Sequence, residues 1–109
     1  MINVEFLGAA AKTAWIKPQG RLNRSRCFEL AQRLHQLLAQ GCQQWVLDLS
    51  QVQGLGPEAL GLLAHWGDEG RLALAGVQEG HARLLEAAKL GKRFPQYQNL
   101  EDYLKQGET

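Results

Sequence analysis

Val46-Leu-Asp-Leu-Ser-Gln-Val-Gln-Gly-Leu-Gly-Pro-Glu-Ala-Leu60 divides into three pieces. Residues 45–49 are apolar apart from Asp48 and follow a helical pattern directly, which suits a central strand covered on at least one face. Residues 50–56 are polar and glycine-rich, the composition of a loop. Pro57 then suits the first position of a helix, where its missing N–H costs nothing. Ala59, Leu60, Leu62, Leu63 and Trp66 supply that helix's apolar side, and Gly67 is expected to stop it. In an open α/β sheet, binding usually occurs at the carboxyl end of a strand. The loop and the helix start are therefore the first place to look for a site.

Working outward, residues 2–7 read as a short strand. A second begins at Ala14 to Ile16 and closes at Gly20-Arg-Leu-Asn23, with a hairpin turn across residues 8–13. Asn23 or Ser25 caps the next helix by accepting backbone N–H bonds. Cys27, Leu30, Ala31, Leu34, Leu37 and Leu38 fall on one helical face, and Gly41 ends it. Residues 71–77 form a further strand. Residues 80–90 form a helix expected to turn Ala82, Leu84, Leu85 and Ala88 inward. Residues 94–97 read as a short edge strand, and Asn99 caps a final helix over 100–105. Strands and helices at this rhythm imply right-handed crossovers. The fold expected is α/β, with a four- to five-stranded mixed, largely parallel sheet and about four helices. One domain covers residues 1–105, and residues 106–109 are a polar tail expected to be disordered.

The chain has 109 residues, of which 45% are hydrophobic and 21% charged, enough for one core without staples. A net charge of +1 gives no electrostatic reason to expect nucleic acid or an anionic membrane as partner. No stretch approaches the roughly 18 consecutive apolar residues of a membrane span, and the amino terminus lacks a signal pattern. A cytoplasmic location without direct membrane insertion is expected. Cys27 and Cys42 bracket one helix and stand roughly 22 Å apart along it, too far for a disulfide. Both are expected to be free thiols.

The order of these segments resembles the STAS domains, the family of bacterial anti-sigma factor antagonists. Gly20-Arg-Leu-Asn23 resembles the family's Gly-x-Leu/Ile-Asp. Val46-Leu-Asp-Leu-Ser50 with Val52 is similar to its central strand, and Leu72-Ala-Leu-Ala-Gly-Val77 to the next. Leu90, Phe94-Pro95 and Leu100-Glu-Asp-Tyr-Leu104 resemble its closing segment. In that family the central strand leads to Asp-Ser-Ser/Thr-Gly, whose second hydroxyl residue is phosphorylated by a partner kinase. The aligned residues here are Gly56-Pro57-Glu58-Ala59, so Glu58 stands as the phosphoacceptor equivalent. The resemblance implies a non-enzymatic protein-interaction module without the family's phosphoserine switch, in bacterial signalling or transporter regulation. The partners implied are an anti-sigma kinase-like protein or a transporter subunit, because STAS domains also accompany anion and lipid transporters. Homo-oligomers remain open.

The residues themselves refine this picture. Glu58 offers one charge and two oxygens, against nearly two charges and three oxygens for a phosphoserine. A carboxylate in a first helical turn is also stabilising in its own right, by roughly 0.3–1 kcal/mol. Leu55 has no amphipathic face to join and is expected to stay partly exposed. Leu55, Gly56, Pro57 and Glu58, with Asn23 and Arg24, form the expected partner surface. Gly54-x-Gly56 invites a phosphate loop, but the lysine and hydroxyl residue of such a loop are missing. A nucleotide or lipid sensor at this loop is the alternative reading, and no cofactor is expected. Asp48 is expected to bond backbone donors, and Ser50 to serve a turn or substitute as phosphate acceptor. His35, His65 and His81 fall on three helices with no metal spacing and are expected to be exposed. Trp15 and Trp45 are expected in the core, whereas Trp66 fits either the core or an exposed hot spot. Arg83, Lys89, Lys92, Arg93 and Lys105 form a solvated basic face.

Overall fold

In the computed structural model, residues 3–7, 13–68 and 70–107 are described. Strands β1 (Asn3–Leu7) and β2 (Thr13–Lys17) pair antiparallel, from Asn3 opposite Lys17 to Leu7 opposite Thr13. The turn expected between them lies largely outside the described residues. Strand β2 pairs in parallel with β4 (Gln44–Asp48), β4 with β6 (Leu72–Ala75), and β6 with β7 (Gln96–Tyr97). The five-stranded sheet has the order β1-β2-β4-β6-β7, which puts β4 at its centre. Helices α1 (Arg24–Ala39), α2 (Pro57–Asp68), α3 (Glu79–Ala87) and α4 (Leu100–Gly107) complete the mixed α/β fold.

Alternation along β4 explains the two cores. Trp45 and Leu47 join the main cluster with Leu30, Leu34 and Leu37 of α1, Leu63 and Trp66 of α2, and Leu85 of α3. Val46 between them points the other way, as strand geometry requires. It joins Trp15, Ala75, Tyr97, Leu100 and Tyr103, so α4 covers the opposite side. Asn23 is the cap of α1, its side-chain oxygen accepting from Arg26 N at 3.0 Å. Gly41 follows the end of that helix with φ +97°, where a Cβ would be strained. Asn99 caps α4 through Asp102 N at 2.9 Å. Cys27 and Cys42 are buried free thiols.

Several expectations are corrected. Gly20–Leu22 does not close β2 but forms a strand of its own, β3. Part of the expected loop is its partner, the strand β5 (Val52–Leu55), and the two run parallel as a separate small sheet. Val52 and Leu22 are buried, and the ladder between the strands satisfies backbone groups that composition alone would assign to water. Gly67 does not stop α2, which continues to Asp68. It is needed instead for packing: a Cβ there would lie 2.9 Å from Phe94 Cζ and closer still to Cε1. Phe94 enters the core rather than the edge strand, which is only residues 96–97.

Helix α3 turns His81 and Leu85 inward and leaves Ala82, Leu84 and Ala88 exposed. Leu85 belongs to both possible faces, so periodicity did not choose between them. His81 is only 5% exposed, contrary to the exposed histidine expected, whereas His35 and His65 are exposed. Trp66 is 3% exposed and packs edge-on against Trp45, with ring centroids 4.9 Å apart, which places it in the core.

Candidate functional site

Strands β3 and β5 set the geometry of the site. Leu22 stands opposite Leu55 in their parallel register, and each strand runs within two residues into a helix. The starts of α1 and α2 therefore open at the same end of the small sheet. Each contributes the partial positive charge and free N–H groups of a helix amino terminus. Gly56 N donates to Leu22 O at 3.3 Å and ties the two junctions together. A Cβ at Gly56 would approach that carbonyl oxygen to 3.3 Å, so glycine permits the close crossing. Between the junctions lies a groove of ≈ 430 Å³ lined by residues 21–24 and 53–58. The structure brings together in this groove all six residues of the expected surface: Asn23, Arg24, Leu55, Gly56, Pro57 and Glu58.

Each of these groups has a physical constraint. Asn23 spends its side-chain oxygen on the α1 cap, which leaves its amide N–H groups as the free function. Arg24, Pro57 and Glu58 are exposed. Leu55 is half-buried and packs against the main core, so it does have an apolar neighbour to join. Glu58 lies in the first turn of α2, where the helix dipole favours its charge. Burial pushes the Cys27 thiol up from its ordinary range, and the charge of Glu58 adds to that rise. The carboxylate is thus close enough to be felt across the α1–α2 junction.

The turn from β4 to β5 is held from three sides. Asp48 accepts from Trp15 Nε1 at 3.1 Å and from Ser50 N at 2.9 Å, so it bonds a backbone donor at the turn as expected. Gly76 passes beside this pair with φ +60°, and a Cβ there would come within 2.8 Å of Asp48 Oδ1. From the start of α3, Gln78 Nε2 donates to the carbonyls of Leu49, Ser50 and Val52 at 3.2, 3.1 and 3.0 Å. Gln78 was invisible as a site residue in sequence. It sits at the cap position of α3 but makes no side-chain cap bond there, and its partners lie 26 to 29 residues away. No local pattern signals such a contact.

Chemistry elsewhere is sparse. Among the described residues no group of three or more His, Cys, Asp and Glu could hold a metal. Among the same residues no helix is long and apolar enough to cross a membrane. His35 and His65 both lie edge-on to Trp66, at centroid distances of 5.1 and 5.3 Å. In the basic carboxyl-terminal region Arg83 pairs with Glu79, and Arg93 with Asp68, at exposed positions.

A family model described as "Mlab, STAS domain" matches residues 6–101. The fold is similar to that of a putative anti-sigma factor antagonist from Thermotoga maritima, with TM-score 0.85 and 17% identity over 99% of this chain and 95% of that one. The anti-sigma factor antagonist SpoIIAA in its unphosphorylated form gives TM-score 0.81 at 14% identity, covering 99% and 96% of the two chains. An anti-sigma factor antagonist from Mycobacterium paratuberculosis gives 0.78 at 22%, covering 100% and 96%. Among curated proteins no sequence match is found.

Proposed function

We propose that this chain, which belongs to the STAS-domain family, is a cytoplasmic protein-interaction module of the anti-sigma factor antagonist type that works without a phosphoserine switch. The observation that carries the proposal is the groove itself. Two helix starts, an apolar residue and a charged residue converge there, yet residues 54–60 hold no Ser, Thr or Tyr. Glu58 occupies the position at which the family resemblance puts the phosphate acceptor. Its carboxylate is encoded in the sequence and is not added and removed as a phosphate is. An anti-sigma kinase-like protein or a transporter subunit is the kind of partner that fits. The function proposed is binding rather than catalysis, in keeping with the likeness to anti-sigma factor antagonists.

The test compares wild type with Glu58→Lys in pull-downs from the source cell, followed by affinity measurement with the partner recovered and thermal unfolding of both variants. Charge reversal at an interface is expected to weaken binding by more than about 1 kcal/mol. Folding stability is expected to fall by no more than about 1 kcal/mol, the scale of the dipole interaction. Unchanged affinity together with lost stability would leave Glu58 as a helix-stabilising residue. A copurifying small molecule without a protein would favour a nucleotide or lipid sensor instead.

A further inference from the structure

Phe28 is the most exposed large apolar side chain of the described residues, at 67%, and no folding requirement accounts for it. It lies on α1 one helical turn after Arg24, about 6 Å further along the axis. Residues seven apart share a helical face, and His35, seven residues on, packs edge-on against Trp66 of α2 at 5.1 Å. The flank of α1 that carries Phe28 is therefore the one turned towards α2. Arg24 lines the groove, and residues four apart on a helix are surface neighbours, so the ring of Phe28 stands beside the groove's α1 rim. Phe28 flanks the groove rather than lining it, whereas Phe6, Leu84 and Leu104, the other exposed large apolar residues among those described, sit on β1, α3 and α4, elements that contribute no residue to the groove.

We infer that Phe28 is the aromatic anchor of the partner surface and inserts into an apolar pocket of a protein partner whose rim carries carboxylates opposite Arg21 and Arg24. This rests on the interaction-module reading above and adds the partner's chemistry. Aromatic side chains dominate interface energetics when they enter a desolvated pocket. The ring projects from a helix, so it fits a cavity rather than forming one. Arg21 and Arg24 are exposed and carry no ion pair among the described residues, whereas Glu58 is the one carboxylate of the groove lining. The local balance is basic, and an acidic partner complements it. In a second copy of this chain, one Glu58 would have to answer two guanidinium groups. A membrane would receive a single ring and a weak charge, well short of a stable anchor.

The test places the photo-crosslinking amino acid p-benzoylphenylalanine at position 28, and separately at Gln53 in the groove, in the full chain within its own cell. Both positions are expected to cross-link the same protein, and the peptide joined to position 28 is expected to contain Asp or Glu. Arg24→Glu should cut the cross-link at position 28 at least fivefold, and reversing the matching carboxylate of the partner should restore it. Phe28→Ser should weaken binding at least tenfold while leaving the melting temperature unchanged. A cross-link at 53 but not at 28 overturns the anchor and leaves the interaction module standing. Silence at both positions overturns the module as well. Cross-linking at 28 to a second copy or to lipid overturns the acidic-pocket partner.

Discussion

Two glycines in α2 allow the packing of the site's supporting helix to be tested by sign alone. Gly61 is exposed, and a Cβ added there meets nothing within 4 Å. Alanine at that position should gain the usual helix-propensity difference, roughly 0.5–1 kcal/mol. Gly67 faces the buried ring of Phe94, whose Cζ would lie 2.9 Å from the new Cβ. That ring has no flexible end to swing aside, and overpacking of this kind costs about 1–3 kcal/mol. Subtracting the propensity gain leaves roughly 0–2.5 kcal/mol, and so short a contact puts Gly67→Ala in the upper part of that range, destabilised by about 1–2 kcal/mol. In a domain of this size each kcal/mol moves the melting temperature by about 4–8 °C. Gly61→Ala should therefore melt roughly 2–8 °C higher than wild type, and Gly67→Ala roughly 4–15 °C lower. Urea titration should show the midpoint moving with an unchanged slope, the sign of altered stability rather than an altered unfolded state. Gly67→Ala combined with Phe94→Leu should lose less than the sum of the single changes, because the smaller side chain vacates the contested space. Gly67→Ala as stable as wild type would refute the packing argument.

Asp48→Ala strands two donors, Trp15 Nε1 and Ser50 N, and should cost about 2–4 kcal/mol in urea unfolding. Asp48→Asn keeps one acceptor and should lose about half as much; equal, small losses would show that water replaces the carboxylate. Burial holds the pKa of His81 below its ordinary value, so the neutral form is the folded one. Stability from this group is complete above the unfolded pKa of about 6.5 and is lost as pH falls below it. His81→Leu should flatten that part of the pH profile between pH 7.5 and 5, and a profile identical to wild type would remove His81 as its source. Glu58→Ser should not restore a phosphate switch, because Gly56, Pro57 and Ala59 still replace the family's motif around it. Mass spectrometry after incubation with a STAS-directed kinase and ATP is expected to find residues 54–60 unmodified, and efficient phosphorylation would show that context matters less than the acceptor.

The sequence carried the sheet and helices wherever periodicity and caps agreed. Helix α1 is the clearest case: Asn23 at its start, Gly41 past its end and the Cys27-Leu30-Leu34-Leu37 stripe all mean what they say locally. The groove residues were legible because Pro57 marks a helix start and a strand precedes it. The errors share a cause, which is dependence on distant partners. Val52–Leu55 becomes a strand only because β3 lies beside it, 32 residues earlier in chain order at Gly20 and Val52. Gly67 reads as a stop until Phe94 is placed against it, and His81 reads as surface until α3 docks with Leu85 inward. Phe28 shows the converse. Its place beside Cys27 already puts it off the apolar stripe, but only the packing of α1 on α2 shows which flank the ring occupies.

The groove's charge also bears on how such a module is controlled. A phosphate placed at a helix start adds nearly two charges and is removed again, so it makes binding conditional. Glu58, which the family resemblance aligns with the phosphate acceptor, is part of the sequence and is not added or removed. Pro57 beside it holds its own φ at about −65° at the start of α2. Ligand-driven switching requires two states with different affinities, and on the proposed reading residues 54–60 supply no phosphate acceptor to create them. Occupancy of the groove should then follow the concentrations of chain and partner by mass action. Affinity measured in the presence of kinase and ATP should equal affinity measured without them. A change in affinity under those conditions, with residues 54–60 still unmodified, would place the control on the partner and not on this chain.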